Sequence, residues 1–174
     1  RDMQGCPLPN DPFIACAQDK QRWTDEAASA QRVGPRIVSS TSFMANGPGM
    51  SERIKGVPQF FDTATPEQAR AFVRHFSQEN IREIKVYDWI PREAYFPLVD
   101  EARKLGLEVV GHRPYAVSAA EAAAHQKSIE HARFILHESF AGSVELRSAG
   151  VAPSHEDQQR MASEHEPQRA DAII

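Results

Sequence analysis

The sequence predicts an α/β chain built on a parallel sheet, and three observations predict it. Strand-like apolar runs recur at residues 36–40, 81–87, 107–112 and 128–131. Helix-patterned segments with start and stop signals separate the last three. The connections between them are short, as helical crossovers between parallel strands require.

The elements follow in order. The stretch at 7–12 holds three prolines and reads as a loop. A helix is expected over 24–32, with Thr24 as N-cap and Gly34-Pro35 as its stop. Residues 36–40, Arg-Ile-Val-Ser-Ser, read as a strand. Gly47, Pro48, Gly49 and Gly56 make 44–57 a long loop, the kind that often carries function. Thr65-Pro66-Glu67-Gln68 is a capping box with proline at the first helical position. Ala69, Phe72, Val73 and Phe76 then recur at helical spacing. After the strand at 81–87, a helix spans 92–105 and ends at Gly106. After the strand at 107–112, Ser118 and Glu121 form a second capping box ahead of an alanine-rich helix to Gln126. The strand at 128–131 precedes a helix over 137–148, and 154–174 is a polar tail, either helical around 156–164 or disordered. The boundary between a main unit and this tail is placed at 153/154.

Bulk numbers exclude several classes. The 174 residues suffice for one domain with a sizeable core. Hydrophobic content of 41%, charged content of 25% and a net charge of −4 are ordinary and carry no basic excess, so neither nucleic acid nor an anionic membrane is an expected partner. No run approaches the ~20 apolar residues of a membrane helix. Cys6 and Cys16 lack zinc-site spacing, and a local bridge between them stays open. The chain starts at Arg1, so its N-terminus reads as truncated; the compartment is open, with the cytoplasm favoured.

Three polar residues stand out. Lys85 interrupts Ile84-Lys85-Val86-Tyr87, His112 closes Val109-Val110-Gly111-His112, and His131 closes Ser128-Ile129-Glu130-His131. A lysine within an apolar strand is costly without a task. Parallel sheets present functional groups at their carboxyl ends, where both histidines fall. Imidazole suits zinc, manganese or iron. A neutral lysine amine can add carbon dioxide to give a carbamate, an anionic ligand able to bridge two ions ~3.5–4 Å apart.

These three segments, with a lysine–His–His spacing of 27 and then 19 residues, resemble strands four, five and six of the metal-dependent amidohydrolase superfamily. The similarity is greatest to its imidazolonepropionase-like and dipeptidase-like branch. Arg1-Asp2-Met3-Gln4-Gly5 resembles the end of strand two there, and the run at 36–40 resembles strand three. The resemblance implies part of a (β/α)8 TIM-like barrel, roughly strands 2 to 6. It implies hydrolysis of a C–N bond (amide, cyclic amide or peptide-like) in a small-molecule substrate. It also implies a divalent metal, zinc first, as one or two ions. Lys85, carbamylated by carbon dioxide, would be the bridging ligand, with His112 and His131 on the second ion. Tyr87, on the Lys85 face of its strand, and Arg113, a carboxylate binder by chemistry, are the candidate substrate contacts.

The chain departs from that family. It has no His-x-His, and it is shorter than the about 250 residues of a whole barrel. It is therefore expected to be a fragment, inactive alone, with the general base outside it and open sheet edges able to form a homo-oligomer. The alternatives are a non-catalytic homologue that binds or assembles, a structural or snorkelling Lys85, core-bonded histidines, and a Schiff-base lysine. His75, His125, His137, His155 and His165 read as surface residues. Glu130 should face away from His131 by strand alternation and receives no role. Ser39, Ser40 and Thr41 form no nucleophile elbow, and the Gly47-Pro48-Gly49 loop is no phosphate cradle.

Overall fold

The computed structural model describes residues 17–34, 44–49, 60–78 and 81–173. Cys6, Cys16, the strand expected at 36–40 and the segment 1–5 lie outside them. Five strands form one parallel sheet: β1 (Met44–Asn46), β2 (Phe60–Asp62), β3 (Glu83–Val86), β4 (Glu108–Gly111) and β5 (Ser128–Ile129). Their order is β2-β1-β3-β4-β5. Eight helices accompany them among the described residues: α1 (Ala17–Ala28), α2 (Pro66–Phe76), α3 (Arg92–Lys104), α4 (Ala119–His125), α5 (Arg133–Glu138), α6 (Ser143–Ala149), α7 (His155–Ser163) and α8 (Pro167–Asp171). The expected parallel α/β class holds. No described helix is long and apolar enough to cross a membrane.

The best-defined elements are those with the clearest local chemistry. Thr65 caps α2, its side chain accepting from the Gln68 N–H while Gln68 returns a bond to the cap backbone. Ser118 and Glu121 do the same for α4. The apolar stripe of α2 (Ala69, Phe72, Val73, Phe76) is buried against Tyr95, Leu98 and Val99 of α3 and against Ile84 and Val86 of β3. The Phe72 and Phe76 rings lie 4.7 Å apart. Each such side chain contributes about 1.5–3 kcal/mol by burial.

Three expectations are corrected. The first helix starts before Thr24, at Ala17, and ends at Ala28, two residues ahead of Ala30 with φ +58. Within the expected loop at 44–57 the chain makes β1, and β2 follows it. Three-residue strands are too short to show a period. Here Ala45 is fully buried, and Asn46 is tied by its carbonyl to the Thr63 N–H and hydroxyl, at 2.8 and 2.7 Å. β1 sits between β2 and β3, so the order of the described strands is not sequential at this edge. Residues 137–148 form two helices rather than one, broken where Phe140 dives into a small core with Leu146 and Met161. The polar tail is helical, and a bridge between Phe140 and His165 and the Arg160 guanidinium over the Phe140 ring join it to α5 and α6.

β3 and β4 set the geometry of the carboxyl edge. Lys85 stands opposite Val110 and Val86 opposite Gly111. Gly111 has φ +123, and a Cβ there would stand 2.3 Å from the Val86 carbonyl oxygen. Neither the backbone angle nor the space admits a side chain. Gly111→Ala is therefore expected to lower stability by about 3 kcal/mol, read as a shifted urea midpoint with unchanged slope. A midpoint equal to that of the parent would contradict this packing.

Candidate metal centre

Alternation along β3 sends Ile84 and Val86 into the core and leaves Lys85 and Tyr87 half-buried on the other face. Two residues beyond the end of the strand comes Asp88, which is buried. One strand over, the His112 N–H donates to the Val86 carbonyl at 3.1 Å, so His112 is held beside the end of β3. Its own carbonyl accepts from Gln126 Nε2 at 3.1 Å. On the third strand, the Glu130 N–H donates to the Gly111 carbonyl at 2.7 Å. His131 follows with φ +61.

That positive φ overturns one expectation. β5 stops at Ile129, so strand alternation no longer governs residues 130 and 131. Glu130 and His131 turn toward the same place, and with His112 they form a group whose ligand atoms lie within 4.8 Å of one another. The His112 and His131 rings meet edge to face at 4.8 Å. Two imidazoles and a carboxylate at this separation fit a divalent ion of the zinc, manganese or iron type.

Of the expected ligands, the structure brings His112 and His131 together, and it places Lys85 one step back. Lys85 Nζ pairs with Glu130 Oε2. Lysine thus joins the cluster through the carboxylate. Tyr87 packs tilted against His112, with ring centroids 4.1 Å apart. Burial, followed by the Asp88 charge, raises the pKa of its phenol, so the ring stays neutral.

Arg113, the other expected substrate contact, has partners inside the protein. Its side chain is 3% exposed, and its carboxylate partner is internal: Glu138, at 3.3 Å. It also donates to the Val117 and Pro114 carbonyls at 2.6 and 3.2 Å. Burial lowers its pKa, with Glu138 opposing. Through Glu138 this guanidinium ties the β4 exit to α5. His137, expected at the surface, is drawn into the same network, with Nδ1 3.0 Å from Arg113 Nη2 and its ring 5.9 Å from that of Tyr115.

Asp88 and Arg133 belong to the centre without having been singled out in the sequence. Asp88 Oδ1 lies 3.1 Å from His112 Nδ1, and Asp88 Oδ2 lies 2.5 Å from Arg133 Nη2. Burial pushes the Asp88 carboxyl up, but the hydrogen bond to His112 and the nearby cations outweigh it and hold the pKa below the usual value. Asp88 follows Tyr87 at a strand exit, so the rule that flagged His112 could have flagged it. Nothing local marks Arg133.

Asp88, His112, Arg113, Glu130, His131, Arg133, Phe134 and His137 enclose a void of about 10 Å³, the size of a single water or ion. An open groove of about 650 Å³ is walled by Pro48, Trp89, Arg92, Ala116, Arg147 and Val151. Its volume suits a small molecule.

No protein-family model and no curated protein matches the chain. Among solved structures, the fold is similar to that of bottromycin amidohydrolase, with a TM-score of 0.60 and 23% identity. The match covers 87% of this chain and 31% of that protein, so the chain spans about a third of its length. The likeness shows a shared α/β fold.

Burial, and then the charge of Arg113, lowers the His137 pKa from 6.5 to about 4. Between those values the unfolded chain takes up a proton that the folded chain refuses. Stability therefore falls as pH drops through the window from 6.5 to about 4. His137→Gln is expected to flatten this fall in urea titrations across the window. Parallel curves for variant and parent would contradict the assignment.

Proposed function

We propose that the protein containing this chain is a metal-dependent hydrolase acting on a C–N bond of a small amide or peptide-like substrate. The observation that carries the reading is the His112, Glu130 and His131 group at the carboxyl edge of a parallel sheet. The fold likeness supports it, because the similar structure is of a protein named as an amidohydrolase. In this reading the sheet is one part of a (β/α)8 barrel that further strands complete.

A divalent ion bound there, zinc first, would polarise the scissile carbonyl and make water nucleophilic at neutral pH. The residues of this chain do the rest. His112, Glu130 and His131 hold the ion. Tyr87 covers His112 and keeps bulk water from that side. The groove beside Trp89 and Arg147 receives the substrate body.

Lys85 enters in one of two ways. As a carbamate formed with carbon dioxide it would be an anionic ligand for a second ion. As the cationic partner of Glu130 it would orient that carboxylate toward a single ion, and the Lys85–Glu130 pair favours this second role. A carbamate beside Glu130 would set two anions against each other unless a cation lay between them.

Zinc titration with elemental analysis tests the reading. The parent chain is expected to take up one equivalent, and Glu130→Gln and His131→Ala are expected to lose most of it. Lys85→Arg, which keeps the cation and cannot form the lysine carbamate, is expected to keep the zinc. Loss of zinc in Lys85→Arg with retention in Glu130→Gln would favour the carbamate. A parent chain without zinc under metal-replete conditions would overturn the hydrolase and leave a module that binds or assembles.

A further inference from the structure

His112 Nδ1 sits between two partners of opposite kind. Asp88 Oδ1 accepts hydrogen bonds and lies 3.1 Å away. Arg133 Nη2 donates them and also lies 3.1 Å away. The two partners are themselves joined, Arg133 Nη2 to Asp88 Oδ2, at 2.5 Å.

A neutral imidazole carries one N–H, so only one of these contacts can be a hydrogen bond at a time. With the proton on Nδ1, the ring donates to Asp88 and Nε2 offers a bare lone pair. With the proton on Nε2, Nδ1 accepts from Arg133 and Nε2 cannot bind a cation. Burial decides between them. The Asp88 side chain is 4% exposed, that of Arg133 45%. The buried carboxylate depends on protein donors, whereas the guanidinium already has Asp88 and reaches water.

We propose that Asp88 is a positioning residue that keeps the His112 proton on Nδ1 and turns Nε2 toward the metal, while Arg133 occupies Oδ2 and so directs Oδ1 to the ring. This rests on the reading of His112, Glu130 and His131 as a metal centre. A carboxylate behind a ligating histidine fixes tautomer and ring orientation and raises the basicity of the ligand. Tyr87, with its ring centroid 4.1 Å from that of His112, limits ring rotation.

Asp88→Asn separates this from a packing role, because the amide is nearly the same shape. Its oxygen is drawn to Arg133, which leaves its NH2 facing His112 Nδ1. The ring must then accept at Nδ1 and carry its proton on Nε2, the tautomer that cannot ligate. Arg133→Met removes the competing donor and leaves Asp88 in place.

The experiment is a two-bond 15N–1H correlation spectrum of the metal-free, histidine-labelled chain at alkaline pH, paired with zinc competition titrations. We expect the proton on Nδ1 of His112 in the parent and in Arg133→Met, and on Nε2 in Asp88→Asn. Zinc affinity is expected to fall about 10- to 100-fold in Asp88→Asn and to hold in Arg133→Met. A parent with the proton on Nε2 would overturn the proposal, as would an Asp88→Asn variant with parental tautomer and affinity. If Asp88→Asn does not fold, the parent and Arg133→Met spectra decide. A parent with the Nδ1 proton that binds no zinc would overturn the metal reading alone and leave the orientation by Asp88 standing.

Discussion

The parallel pairing of β3 with β4 is the constraint on which the rest of the molecule depends. Val86 faces Gly111 in the ladder, and the His112 N–H continues it to the Val86 carbonyl. One face of β3 is locked by burial of Ile84 and Val86 under α2 and α3, so a slip of one residue would expose both. With that register fixed, Tyr87 and Asp88 can only emerge beside His112. The close approach of Gly111 to Val86 is the local condition for it, since any side chain at 111 would push the strands apart. The site is thus a by-product of core packing on the opposite face of the sheet.

What the packing delivers to that edge is an unusual density of buried or half-buried charge. Asp88 contacts His112 and Arg133, and Arg113 contacts Glu138, close to the carboxyl edge of the sheet. Such a network is costly unless each member is satisfied, and it is worth little as a source of stability. Its value lies in geometry. Arg113 fixes α5 to the β4 exit through Glu138 and the Val117 carbonyl, and α5 carries Arg133 back to Asp88. Apolar residues of equal volume would hold the backbone as well, but they would not set the direction of an imidazole ring.

Much of the framework was legible in the sequence. The Thr65 and Ser118 capping boxes, the stripe from Ala69 to Phe76, and the strand–helix alternation from residue 81 onward are local signals, and the structure follows them. His112 and His131 were visible because histidine at a strand exit is rare without a reason. Glu130 was not, because alternation pointed it away; the left-handed backbone at His131 reverses that, and no residue type there announces it. The internal contacts of Arg113 and His137 were hidden for a related cause. Their roles arise from contacts with α5, 24 or 25 residues further on or back, and sequence periodicity carries no information about such pairings. β1 was hidden by its length of three residues.

The most direct measurement of the central claim is anomalous diffraction from crystals grown with zinc, recorded at the zinc absorption edge. One peak bounded by His112, Glu130 and His131 is expected, at about 2.0–2.2 Å from a ring nitrogen of each histidine and a Glu130 oxygen, with Asp88 still against His112 Nδ1. No peak in this void, or a peak bound elsewhere while Glu130 remains paired only with Lys85, would contradict it.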